Sequence, residues 1–182
     1  LIKGRTVMRG YYNKPEATAE AFTDDGFFRT GDAGSLNERD EIILTERIKD
    51  LYKTSNGKYI APQMIETTMT EDKYIDQVAV IGDDRKFVSA LIVPNFEQLH
   101  KYAGKHNILF DSDEELVSNP IIHDYIFGRI ELKQSQFTNY EKIKKIVILP
   151  RPFSREMGEL TNTLKLRRKV ILERYSQEID SM

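Results

Sequence analysis

Two patterns predict an α+β fold: a small mixed sheet packed with helices, preceded by a short β-rich segment. From Ile48 onward, short branched apolar runs alternate with stretches whose apolar residues recur every three or four positions, the signatures of strands and amphipathic helices. Before that point the chain is punctuated by Gly4, Gly10, Gly26, Gly31 and Gly34, with only short apolar pieces between them. The size fits this division, because 182 residues can bury one complete core with part of another.

The elements follow in chain order. Lys14 to Phe22 reads as the one helix of the leading segment, with Pro15 near its first position and Asp24-Asp25-Gly26 stopping it. Ala33–Leu36 and Glu41–Thr45 form a hairpin around the polar turn Asn37-Glu38-Arg39-Asp40. This piece carries too little apolar surface to fold alone. Together with a start at Leu1, in strand-like sequence, it reads as the distal end of a larger β-rich domain whose other strands lie upstream.

Ile48–Tyr52, Val78–Ile81, Val88–Val93 and Ile143–Leu149 read as strands, and the run through Ala90, Leu91 and Ile92 looks buried on both faces. Pro62 opens a helix with Met64, Ile65, Thr68 and Met69 on one stripe. Asn95–His106 sets Phe96, Leu99, Tyr102 and Ala103 at helical spacing. Ser112-Asp113-Glu114-Glu115 has the form of a capping box, and Asn119-Pro120 that of a cap followed by proline at the first helical position. The helix after it turns Ile122, Tyr125, Ile126 and Ile130 inward. Leu164–Tyr175 reads as a closing helix capped by Thr163.

Composition excludes several functions. There is no cysteine, which removes disulfides, iron–sulfur clusters and thiolate zinc sites. His100, His106 and His123 lack metal-ligand spacing and read as surface or packing residues. With 27 Lys+Arg against 29 Asp+Glu there is no strongly basic field for a polyanion such as nucleic acid. No apolar run approaches the ~20 residues of a membrane span.

Three places can carry chemistry. With a hairpin turn centred between Glu38 and Arg39, Asp32 falls opposite Thr45, and Arg47 is its diagonal neighbour on the same face. That pair is either a surface ion pair or a clamp in which a carboxylate accepts from two vicinal hydroxyls, as a ribose offers, beside an arginine fork. Asn56-Gly57 makes either a tight hairpin or a mobile loop that lets backbone approach a ligand. Lys165, two residues after the expected cap, falls in the first turn of the closing helix, where a cation opposes the helix dipole. It is either part of a solvated basic face or placed to share an anion with the helix N-terminus.

These pieces resemble the C-terminal part of the acyl-adenylate-forming superfamily, which includes acyl-CoA synthetases, peptide-synthetase adenylation domains and beetle luciferases. Gly10-Tyr11-Tyr12-Asn13-Lys14-Pro15-Glu16-Ala17-Thr18 is similar to the family's GYxxxPEAT stretch, and Gly26-Phe27-Phe28-Arg29-Thr30-Gly31-Asp32 to its GWxxTGD motif. Arg47-Ile48-Lys49-Asp50 resembles the hinge motif, and Lys58 to Glu66 the stretch that follows it. The ending Leu160-Thr161-Asn162-Thr163-Leu164-Lys165-Leu166-Arg167-Arg168 is most similar to long-chain fatty acid–CoA ligases. Much of the superfamily has glycine where this chain has Leu164. Residues 100–140 match no family motif.

The resemblance implies a division into residues 1–46 as the end of a large N-terminal domain, 47–49 as a hinge, and 50–182 as a mobile C-terminal domain. It implies two steps: a fatty carboxylate and ATP give an acyl-adenylate and pyrophosphate, and CoA then displaces AMP. In that scheme Asp32 and Arg47 hold the ribose of ATP or AMP, and Lys49 is the hinge. Lys165 acts on the α-phosphate and carboxylate, and Asn56 and Gly57 line the pantetheine channel. Mg²⁺ is expected to be held by residues upstream of this chain. The implied partners are fatty acid, ATP, CoA and the upstream domain in cis, in a cytoplasmic protein with the option of peripheral contact with the inner face of a membrane.

Two other readings stand beside this one. The acyl acceptor could be a carrier-protein thiol, or the α+β domain could be a non-catalytic anion-binding module built on Lys142, Lys144, Lys145, Arg151, Arg155, Arg167, Arg168 and Lys169.

Overall fold

The computed structural model describes residues 1–182, the side chains of residues 45 and 46 apart. The chain divides into two compact units, Leu1–Leu51 and Tyr52–Met182.

In the first unit a single helix, α1 (Pro15–Ala21), carries proline at its start as the sequence predicts. Phe22 and Phe28 pair across a short antiparallel bridge, and Ile2 bridges Phe28 as well. Strands β1 (Asp32–Leu36) and β2 (Ile42–Arg47) form the expected antiparallel hairpin, but its register differs from the prediction. Leu36 pairs with Ile42 and Gly34 with Leu44, so the turn centres on Arg39 rather than between Glu38 and Arg39. The loop is thus one residue longer in register. A bulge between Ala33 and Gly34 then inserts a further residue on β2, so that Ala33 pairs with Glu46 and Asp32 with Arg47. Glycine is required at 34, because a Cβ there would lie 2.8 Å from the Ile43 carbonyl oxygen. Leu36, Ile42, Ile43 and Leu44 all remain exposed.

Residues Ile48–Asp50 form a 3₁₀ turn, not the strand read over Ile48–Tyr52. Only Leu51 and Tyr52, its last two residues, are extended. Tyr52–Lys53 (β3) pairs antiparallel with Tyr59–Ile60 (β4) in a short hairpin that opens the second unit.

The second unit is built on a three-stranded sheet of β5 (Ile75–Ile81), β6 (Val88–Pro94) and β7 (Ile143–Ile148), in the order β5-β6-β7. The first pair is antiparallel and the second parallel, so the sheet is mixed, as the α+β reading expects. The parallel step needs a long crossover. Residues 96–133 provide it, through α3 (Phe96–Lys105), α4 (Asp113–Ser118) and α5 (Pro120–Lys133). The segment without a family motif therefore has a structural role: Leu99, Leu116, Ile122, Ile126 and Ile130 cover one face of the sheet together with α2 (Pro62–Thr70). The expected caps form, with Ser112 accepting from the Glu115 amide and Asn119 from the Ile121 amide.

Val88, Ala90 and Ile92 of β6 pack on that face. Leu91 and Val93 point to the other, where Phe153, Ile171, Tyr175 and Ile179 complete a second core. This two-sided burial explains the unbroken apolar run of the central strand. The closing helix is shorter than expected and is split into α6 (Arg168–Arg174) and α7 (Ser176–Ser181). Residues 164–167 are not helical, because Leu164 adopts φ +60° and turns the chain out of the helical path.

Candidate functional site

Two sets of candidate residues lie in the two units, and each has its own geometry. In the first unit, Asp32 begins β1 and Arg47 ends β2, directly opposite one another. The Thr30 hydroxyl accepts from the Asp32 amide at 3.1 Å, and the Gly31 carbonyl accepts from the Ile48 amide at 2.8 Å, so both strand ends are held by local hydrogen bonds. Arg47 Nε lies 3.4 Å from Asp32 Oδ1, with the side chains 72% and 30% exposed. An ion pair this exposed contributes little to stability. Among the described residues Asp32 Oδ2 has no donor, so the carboxylate keeps lone pairs free for hydroxyls. The pair is closer than the diagonal arrangement read from the sequence, because the longer turn and the bulge each shift the register by one residue and together bring Arg47 directly opposite Asp32. Lys49 lies in the 3₁₀ turn that follows, exposed and without a partner among the described residues.

In the second unit, Asn56 and Gly57 form the tip of the β3–β4 hairpin. Of the two conformations the sequence leaves open, the structure has the tight turn. Thr54 is buried, its amide donates to the Lys58 carbonyl at 2.9 Å, and its hydroxyl accepts from the Lys58 amide at 3.2 Å. Gly57 has φ +75° and donates to the Thr54 carbonyl at 2.8 Å. The hairpin is also tied to the β5–β6 loop. The Ser55 amide donates to the Arg85 carbonyl at 3.0 Å, and the Asp84 amide donates to the Lys53 carbonyl at 2.9 Å.

Lys165 is not in the first turn of a helix. Thr163 caps nothing, the helix begins three residues after the lysine, and the opposition to a helix dipole inferred for Lys165 does not arise. Instead Leu160 bridges Leu166 antiparallel, the Thr161 amide donates to the Lys165 carbonyl at 2.8 Å, and the Leu164 amide donates to the Thr161 carbonyl at 2.9 Å. The Thr161 hydroxyl accepts from the Lys165 amide at 3.0 Å and is 3.1 Å from the Thr163 hydroxyl. Lys165 thus rides on a small hairpin, and its side chain is exposed and unpartnered among the described residues.

Two buried carboxylates, neither singled out from the sequence, brace that hairpin at its ends. Glu159 is 0% exposed. It accepts from Arg151 at 2.9 and 2.7 Å, from the Ser154 amide at 3.0 Å and from the Tyr175 hydroxyl at 3.0 Å, while its carbonyl accepts from the Arg167 amide at 2.7 Å. Burial pushes the Glu159 carboxyl up, but these donors outweigh it and hold the carboxyl below its ordinary range. Burial and the Glu159 bond push Tyr175 up to about 12. On the other side Glu66 of α2 accepts from Arg168 at 2.7 and 2.9 Å and from the Val80 amide at 2.8 Å. The Arg168 guanidinium also lies over the Tyr52 ring at 5.4 Å. These two pairs reassign part of the basic cluster, since Arg151 and Arg168 are neutralised within the fold.

The histidines serve as packing or surface residues. His100 bonds Asp113 at 2.6 Å and stacks on Phe110, while His123 stacks on Phe127. Among the described residues no three His, Asp or Glu side chains converge as a metal cage, and no helix is long and apolar enough to cross a membrane.

Comparison with known proteins adds a family. Residues 49–182 match the model of the AMP-binding enzyme C-terminal domain. A long-chain-fatty-acid–CoA ligase of Mycobacterium tuberculosis is 32% identical over 183 residues, covering 100% of this chain and 30% of that protein. Long-chain-fatty-acid–CoA ligase 1 of Schizosaccharomyces pombe is 35% identical over 185 residues, covering 99% of this chain and 27% of that protein. The chain therefore spans less than a third of the length of these relatives. Among solved structures, the adenylation domain of a carboxylate reductase from Mycobacterium chelonae is similar, with a TM-score of 0.75 and 26% identity, over 98% of this chain and 26% of that one. So is the A domain of carboxylic acid reductase from Segniliparus rugosus in complex with AMP and a co-purified carboxylic acid, with a TM-score of 0.75 and 26% identity, over 98% of this chain and 27% of that one.

Proposed function

Because the chain belongs to the family of AMP-binding enzyme C-terminal domains, we propose that it is the C-terminal part of a long-chain fatty acid–CoA ligase. In the first step a carboxylate oxygen of the fatty acid attacks the α-phosphorus of ATP, and the bond to the β-phosphate breaks to release pyrophosphate. In the second, the CoA sulfur attacks the acyl carbon and AMP leaves. Phosphoryl transfer of this kind depends on positioning and on charge stabilisation.

The observation that carries this reading is Lys165, an unpartnered cation on a hairpin held at both ends by buried ion pairs. A free ammonium on a fixed base is suited to meet charge developing on the α-phosphate and the carboxylate. Asp32, with one carboxylate oxygen unengaged beside Arg47, suits the vicinal hydroxyls of the nucleotide ribose. Asn56 and Gly57 are assigned to the pantetheine channel. Their hairpin, tied to the β5–β6 loop, travels with the second unit as one piece. The hinge is assigned to residues 47–49, which end just before the change of compact unit at Leu51. Mg²⁺ would neutralise polyphosphate charge during adenylation, and its ligands are assigned outside this chain.

The remainder of the enzyme would lie in a larger N-terminal domain that covers the apolar hairpin of Leu36, Ile42, Ile43 and Leu44. The enzyme would be cytoplasmic, meeting a bilayer only peripherally when it takes up its fatty substrate. A second reading keeps the adenylation and passes the acyl group to a carrier-protein thiol, in line with the likeness to adenylation domains of carboxylic acid reductases. Free CoA and a holo-carrier protein offered as acceptors separate the two.

Lys165→Ala in the full-length enzyme tests the main reading. Adenylation should slow by roughly 10²–10³, the scale of a lost charge-stabilising donor, while thioester formation from preformed acyl-adenylate changes far less. Equal losses in both steps would refute the role given to Lys165.

A further inference from the structure

The second unit contains seven arginines: Arg85, Arg129, Arg151, Arg155, Arg167, Arg168 and Arg174. Five of them close ion pairs with carboxylates, namely Asp180, Asp72, Glu159, Glu66 and, for Arg174, Glu159 again. The two that do not, Arg155 and Arg167, line the same cleft of about 410 Å³. Arg155 lowers the pKa of Glu156, its chain neighbour, after larger effects from backbone and Ser154 hydrogen bonds, yet closes no ion pair with it. The rest of the lining is Leu160, Thr161, Asn162 and Thr163, the outer strand and turn of the hairpin that carries Lys165.

Elsewhere in this unit the fold cancels guanidinium charge with carboxylates. Here two arginines without an ion pair line one cleft, together with two threonines and an asparagine. A planar guanidinium fork matches the oxygens of a phosphoryl group, and hydroxyls and amides complete such a shell. Two cations lining one cleft without an ion pair favour an anion between them.

We propose that this cleft is a phosphate-binding site, with Arg155 and Arg167 as its charged walls and Thr161, Asn162 and Thr163 as its polar floor. It is separate from Lys165 in its contacts yet on the same hairpin, so it would fix the hairpin against a phosphate group of a substrate. Only the source of that phosphate rests on the adenylate-forming reading. It is either the pyrophosphate end of ATP or a phosphate of CoA.

The test is ¹⁵N NMR of the chain titrated separately with inorganic pyrophosphate, CoA and dephospho-CoA, at ionic strength held constant with chloride. Saturable shifts are expected at the amides of Thr161, Asn162 and Thr163 and at the Nε groups of Arg155 and Arg167. Arg155→Gln should weaken the apparent Kd by about tenfold, the usual scale of one charge-assisted contact, and the double variant with Arg167→Gln should abolish saturation while its spectrum stays dispersed. Saturation with pyrophosphate supports the site and assigns it to the polyphosphate end. Saturation with CoA but not with dephospho-CoA supports it and assigns it to the 3′-phosphate. Equal saturation by CoA and dephospho-CoA supports it and assigns it to the diphosphate bridge. No saturable shift at these groups with any of the three, or the same shifts in the double variant, overturns it. Because Lys165 is untouched, that failure leaves the adenylation reading to the rates of Lys165→Ala.

Discussion

Glu159→Gln removes one charge from the buried pair that holds the base of the Lys165 hairpin while nearly preserving shape. The carboxylate is fully buried and receives four donors: two nitrogens of Arg151, the Ser154 amide and the Tyr175 hydroxyl. Breaking a buried ion pair costs about 3–5 kcal/mol, because the remaining charge is left without compensation. Here Arg151 is partly exposed and can recover water, and the glutamine oxygen still accepts one or two of the bonds. Both considerations point to the lower end, about 3 kcal/mol. At roughly 2–4 °C per kcal/mol for a chain of this size, the midpoint should fall by about 6–12 °C. Thermal unfolding measures the midpoint and urea denaturation the free energy, both followed by far-ultraviolet circular dichroism, since α2 to α7 all lie in residues 52–182 and dominate the signal.

The pH dependence supplies a second readout. Glu159 has a folded pKa below its ordinary value of 4.5, so its stabilisation is fully present above that pH and is lost as pH falls through the folded value. The gap between wild type and variant should therefore close on acidification. A cost under about 1 kcal/mol, with the gap unchanged down to low pH, would refute the bracing role.

Two further changes test the local backbone. Leu164 has φ +60° with 66% of its surface exposed, and the left-handed region costs about 1–2 kcal/mol for a residue with a Cβ; Leu164→Gly should therefore be about 1 kcal/mol more stable than Leu164→Ala in the same urea measurement. Gly57→Ala meets no atom within 4 Å, so its cost comes from φ +75° alone, and exchange of the Thr54 amide should quicken by about fivefold without loss of the global fold.

The parts of the fold that were legible in the sequence are those where one physical signal dominates. Strands β6 and β7 are marked by unbroken or alternating branched residues, and α4 and α5 by Ser112 and Asn119, whose short polar side chains favour caps over helix interiors. Where two signals compete, the pattern misleads. Leu164, Leu166, Val170 and Ile171 imitate a helical stripe, yet Leu166 pairs with Leu160 and Leu164 points to solvent. The register of the β1–β2 hairpin depends on a bulge that alternation cannot reveal. Asp32 and Arg47 still lie side by side as the pattern suggests, because a one-residue change in the turn and the bulge together carry Arg47 from a diagonal position to a direct one. Glu159 left no trace in the pattern, since a buried carboxylate in a loop has neither period nor turn signature.

That missing residue changes how the lysine motif works. A lysine in the first turn of a helix would take its direction from the helix axis, and its charge would be weakened by the dipole. On the observed hairpin its direction depends on two ion pairs, Arg151–Glu159 before it and Arg168–Glu66 after it, which tie residues 159 and 168 to opposite parts of the sheet packing. The arginine of each pair is already neutralised, so neither competes for the anion that Lys165 would meet. The motif keeps one cation free by fixing two others, and it leaves Arg155 and Arg167 as the only further free guanidinium groups among the described residues of the second unit. The four arginines of the basic cluster that reads from sequence as one diffuse charged face thus separate into two structural ion-pair partners, Arg151 and Arg168, and two, Arg155 and Arg167, that line one cleft.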